Sequence, residues 1–120
     1  MARMLTPLPA AEFAQICERI DAGTAERADL KAATKHLLAV LQRKAPGHSV
    51  EVRIPPFAAI QCIEGASHTR GTPPAVVETD PETWIALGRG KLAWSDASVR
   101  ASGERSDLTP LLPLDPAPGR

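Results

Sequence analysis

The sequence predicts an α+β domain in which helices pack on an antiparallel sheet. Three observations carry this. Apolar residues recur three and four apart over the first third of the chain, which is a helical period. From Val50 they alternate, which is a strand period. The strands that follow stand close together, without long helical crossovers, and such strands pair antiparallel. The 120 residues suit one domain, large enough to bury about two-thirds of its unfolded surface.

Residues 1–9 hold two prolines and read as an N-terminal arm. A helix starts near Ala10, where Phe13, Ile16, Cys17 and Ile20 make one stripe, and Gly23 is its stop. Thr24 is placed to cap a second helix running to about Lys44, with Leu30, Ala33, Leu37, Leu38 and Leu41 on its apolar side. Val50, Val52 and Ile54 alternate with Glu51 and Arg53 in a half-buried strand. Phe57–Ile63, apolar but for Gln61, reads as a central strand covered on both faces and paired to the first around Pro55-Pro56.

Residues 64–74 form a loop punctuated by two glycines and two prolines. Ala75–Glu78 is a third strand. The next helix starts either on Asp80 before Pro81 or on a Thr79/Glu82 capping box, and the two frames differ by one residue. It carries Trp84 and Leu87 and stops at Gly88-Arg89-Gly90. Leu92, Trp94 and Ala97 suggest another helical turn, Val99–Gly103 a fourth strand, and Asp107 a cap for a last short helix with Leu108, Leu111 and Leu112. The organisation expected is an arm over 1–9, one domain over 10–114 and a flexible Pro-rich tail over 115–120.

Composition narrows the function. Fourteen basic residues balance fourteen acidic ones, so the basic excess of a nucleic-acid binder is missing. There is no apolar run long enough for stable membrane insertion and no signal-peptide pattern, which makes the cytoplasm the expected location. Aromatics are 3%, so the core must be aliphatic around two Phe and two Trp. Cys17 and Cys62 lie on apolar patterns and read as buried, reduced thiols, and no G-x-S-x-G elbow is present. His36, His48 and His68 have no ligand spacing, so no metal is expected. Gly88-Arg89-Gly90 follows a helix, so it is a helix stop rather than a cofactor loop, and no cofactor is expected. Glu78, Asp80 and Glu82 cluster where a helix dipole uses them. No nucleophile or acid/base pair is assembled, so an enzyme is not expected.

The segment VVETDPETWIALGRGKLAWSDASVRASGERSDLTPLLPL resembles the core of the sterol carrier protein family. SVEVRIPPFAAIQCIEG and HTRGTPPAVVETDP resemble the bacterial orthologue branch of that family, and the likeness spans about residues 28–114. One departure is that SDASVRAS, between Trp94 and Gly103, is shorter than in comparable members, which affects the rim of any cavity. The resemblance implies a sheet of about five strands covered by helices. It also implies a lipid or acyl-chain ligand held between sheet and helices, against Phe57, Ile60, Val77, Trp84, Leu87, Leu108, Leu111 and Leu112. The plain alternative is that these residues only fill the core. In the polar loop, Arg70 could clamp a carboxylate or phosphate with His68 beside it. Sterol-carrier-like domains also occur joined to enzymes, so the second reading is a structural or regulatory module with a protein partner and no ligand.

Overall fold

The computed structural model describes residues 4–65, 75–103 and 105–116. In chain order it has α1 (Ala10–Ala22), α2 (Arg27–Lys44), β1 (Val50–Ile54), β2 (Ala58–Cys62), β3 (Ala75–Glu78), α3 (Pro81–Gly88), a 3₁₀ turn at Trp94–Asp96, β4 (Arg100–Ser102) and a second 3₁₀ turn at Thr109–Leu111.

Local chemistry fixes the helix ends. α1 closes on Gly23, whose φ of 76° is the left-handed conformation glycine adopts without penalty. α2 is not capped by Thr24, as its sequence suggested. Glu26 and Asp29 form a reciprocal capping box, leaving Thr24 in the linker. For α3 the two open frames resolve to Asp80, whose Oδ2 accepts the Thr83 N–H at 2.9 Å. Thr79 instead donates its hydroxyl to the Ser98 carbonyl at 2.8 Å.

The sheet order is β2-β1-β3-β4. β1 and β2 form the expected antiparallel pair, with Val50 opposite Cys62 and Val52 opposite Ile60. The sheet as a whole is mixed rather than antiparallel. The chain leaves β2 beside Val50 and returns as β3 with Ala75 beside Val50, on the opposite flank of β1. β3 therefore runs parallel to β1, while β4 pairs antiparallel with β3. Four strands are present among the described residues, against the five or so that the resemblance implied. β2 is an edge strand, not a central one. Its apolar run misleads because the small Ala59 faces away from the core and is exposed.

Val50, Val52, Ile54, Ile60, Cys62, Ala75 and Val77 put one face of the sheet against the helices, and all are buried. Alternation sends Glu51, Arg53, Gln61 and Glu78 to the other face. α2 supplies Ala33, Leu37, Leu38 and Leu41 to the core, and α1 supplies Phe13, Ile16 and Cys17. α3 adds Trp84 and Ile85, with the Trp84 indole N–H donating to the Thr34 carbonyl at 3.3 Å. Gly88 allows α3 to approach closely, because a Cβ there would lie 2.8 Å from the buried Leu37 side chain.

Both ends of the described chain return to α2. The Leu5 N–H donates to Gln42 Oε1 at 2.8 Å and the Leu8 N–H to His36 Nδ1 at 2.9 Å. His36 Nε2 lies 2.9 Å from Asp115 Oδ2, and its ring stacks on Phe13 at 4.1 Å between centroids. Because an amide N–H can only donate, Nδ1 must be the acceptor, which assigns the ring proton to Nε2, facing Asp115.

Candidate functional site

Among the described residues, the side chains between sheet and helices are packed into one buried cluster. Of the eight residues expected along a cavity, Val77, Trp84, Leu87 and Leu108 are at most 1% exposed and Ile60 is 4% exposed. Phe57 falls in the β1–β2 turn rather than in β2, half-buried, with the Arg27 guanidinium 5.0 Å from its ring centre. Leu111 and Leu112 are half-buried and pack on the edge of the core. The last helix expected from the sequence is only a 3₁₀ turn: Pro110 sits in its first positions, where a missing N–H costs nothing, but Pro113 just beyond it cannot donate the amide N–H that would continue the helix. Asp107 is not its cap, although the sequence suggested it: Leu108 holds that position, and Asp107, one residue earlier, accepts from the Thr109 N–H at 3.0 Å and the Thr109 hydroxyl at 2.6 Å.

Where α2, β2 and this turn end together, an apolar depression of about 490 Å³ opens. Ala45, Pro46, Ile63, Glu64, Arg105, Asp107, Pro110 and Leu111 line it. Its walls are set by unusual backbone. Ile63 and Arg105 both have φ of 66°, which is costly for a β-branched residue such as Ile63. The conformation at Ile63 is held from three sides: its N–H donates to the Ala45 carbonyl at 2.6 Å, and its own carbonyl accepts from the Ser49 N–H at 3.0 Å and the Ser49 hydroxyl at 2.6 Å. Gly47 is required beside it, because a Cβ there would fall 2.2 Å from the Ile63 carbonyl group. Lys44 ties the opposite wall, donating to the Leu111 carbonyl at 2.8 Å.

Of these lining residues, sequence reasoning singled out only Leu111 as a candidate contact. The others close elements rather than line their faces, and periodicity reports faces. The available signals were Pro46-Gly47 and the end of the apolar run at Ile63. His68 and Arg70 lie outside the described residues.

The thiols offer no nucleophile. Burial pushes the Cys62 thiol up to about 12. Cys17 is also raised, by burial first, with Arg89 opposing. Among the described residues no group of three or more His, Cys, Asp or Glu is placed to hold a metal ion, and no helix is long and apolar enough to cross a membrane.

Residues 26–114 match the family model described as bacterial SCP ortholog. The chain belongs to the bacterial SCP ortholog family. No curated protein matches the chain significantly. The family segment begins at the capping box of α2 and ends one residue before Asp115, so α1 and the N-terminal arm lie ahead of it. The depression at Ile63 and Leu111 is therefore built wholly within the family segment.

Proposed function

We propose that this chain is a small non-enzymatic binding domain of sterol-carrier type, whose lipid or amphipathic ligand lies at the open end of the sheet–helix layer and not in its middle. The observation that carries this is the apolar depression of about 490 Å³ against Ile63, Pro46, Pro110 and Leu111. That volume falls within the roughly 300–1,000 Å³ of small-molecule sites. The interior, by contrast, would have to expel Trp84 or Leu108 to admit an acyl chain. Leu111 is then a ligand contact, while Ile60, Val77, Trp84, Leu87 and Leu108 serve the core, Leu112 packs on its edge and Phe57 stays in the β1–β2 turn beside Arg27. Arg105 on the rim is a cation for an anionic head group, and Arg70 and His68 are kept as candidates for the same role.

The magnitude follows from burial. Each methylene removed from water contributes about 0.8 kcal/mol, so ten would give about 8 kcal/mol before association costs. An open depression covers only one side of a chain, so binding is expected to be micromolar or weaker. Native mass spectra with added palmitate should show a one-to-one complex. Leu111→Asp should weaken it about tenfold, since a half-buried leucine contact is worth about 1.4 kcal/mol. Bare protein at every palmitate concentration would remove the proposal.

The filled interior favours a second reading, a structural or regulatory module that docks to a partner protein without a ligand. Failure of palmitate binding in a folded protein is the outcome that this reading predicts.

A further inference from the structure

His36 joins three parts of the molecule through one imidazole. It lies midway along α2, inside the family segment, with its side chain 4% exposed. What it holds lies outside that segment: Leu8 in the N-terminal arm, Phe13 in α1, and Asp115 just past the last turn. The arm has three ties to α2. The Leu8 N–H donates to His36 Nδ1 at 2.9 Å, the Leu5 N–H to Gln42 Oε1 at 2.8 Å, and Arg43 Nη1 to the Leu5 carbonyl at 2.7 Å. The segment at Asp115 has an anchor of its own. The Leu114 and Asp115 N–H groups both donate to the Gly88 carbonyl, at 2.8 and 3.0 Å.

The two sides of the ring respond oppositely to a proton. The neutral ring accepts from Leu8 at Nδ1 and donates to Asp115 at Nε2. An imidazolium carries hydrogen on both nitrogens and accepts at neither. The Asp115 bond then becomes an ion pair, while the Leu8 N–H meets a second donor. Turning the ring over leaves that conflict in place. Among side chains, histidine ordinarily titrates nearest neutral pH. Asp115 is the charged group that faces the ring. The arm over residues 4–9 carries no charge, and on α2 the residues three and four away are Ala32, Ala33, Ala39 and Val40. α1 brings Phe13 and, a turn further on, the Cys17 thiol, which burial keeps protonated. Arg89, Asp21 and Lys91 act on that thiol together with Asp115, so they complete the charged surroundings.

We propose that His36 is a pH-operated clasp, which holds the N-terminal arm on α2 while neutral and releases it when protonated, with Asp115 staying bound. The arm is therefore docked at the high-pH end and free at the low-pH end. A carboxylate beside the ring favours its charged form, so Asp115 promotes release. Release uncovers Leu5 and Leu8, which pack against the core when docked, and the stretch of α2 from His36 to Gln42 beneath them.

The test is an NMR titration of the full chain from about pH 8 to about pH 5, the range in which histidine titrates. The ring ¹⁵N signals of His36 should show hydrogen on Nε2 alone at the upper end. The ¹H–¹⁵N NOEs of Leu5 and Leu8 should report an ordered arm there and a mobile one at the lower end, with the change following the His36 ring. Asp115→Asn should move both changes together to lower pH. That variant should remain folded, since the ties to Gly88 are made by backbone. His36→Asn keeps an acceptor for the Leu8 N–H that does not titrate, so its arm should stay ordered throughout. An arm equally ordered at both ends, hydrogen on Nδ1 at the upper end, or loosening that persists in His36→Asn would overturn the proposal. Should His36→Asn fail to fold, the other two samples decide. Loosening that does not follow the ring, or a midpoint unmoved by Asp115→Asn, overturns it.

Discussion

Cys62 shows how burial rather than residue type decides reactivity. It is wholly inaccessible on the inner face of β2, and its thiol is raised to about 12. Near neutral pH the thiol form dominates, and the thiol is not the species that attacks an electrophile. Iodoacetamide should leave both Cys62 and Cys17 unmodified in the native protein and label both in urea, as read by mass spectrometry. Rapid native labelling of Cys62 would contradict the packing of the sheet on α2. The sequence pattern was enough to read both thiols as buried. It was silent on His36, whose role comes from partners 28 and 79 residues away, Leu8 and Asp115. It was also silent on Arg89, which reads as a helix stop until its pairing with Asp21 is seen.

The helices and strands were legible where their signals were local, and their arrangement was not. α1, α2, β1 and β3 each have a period or a stop that can be read within a few residues. The position of β2 at the edge, and the parallel pairing of β1 with β3, depend on where the chain re-enters the sheet after residue 74. No local pattern encodes that return. The last helix shortened to a 3₁₀ turn because Pro113, just past Leu112, outweighed the apolar spacing of Leu108, Leu111 and Leu112. The α3 cap makes a quantitative case. The Asp80 carboxyl is held below the usual carboxylate range, first by the Thr83 backbone N–H. A group lowered on folding stabilises the fold above its unfolded value of about 3.9 and loses that contribution as pH falls through its folded value. Asp80→Ala should therefore cost about 1 kcal/mol at pH 7 in urea unfolding. The gap between wild type and variant should close below the folded-state value, and a gap that persists undiminished at pH 2 would show that the cap is not electrostatic.

Among the described residues, a closely packed core is set off from open depressions at the surface. Trp84, Leu37, Leu38 and Leu108, all fully buried, fill the layer in which a sterol-carrier resemblance suggests a cavity. The low aromatic content made a compact aliphatic core the natural reading of the sequence, and the resemblance argued for a roomier one. What could not be read was the mouth, because Ala45, Ile63, Arg105 and Leu111 converge from separate element ends. The central claim is that an apolar ligand meets the domain at that mouth and leaves the interior packed. Methyl ¹H–¹³C spectra during a palmitate titration test it most directly. The account predicts shifts at Ile63 and Leu111 with the signals of Ile60, Val77 and Leu108 unmoved. Shifts centred on Ile60, Val77 and Leu108 would place the ligand between sheet and helices and contradict it.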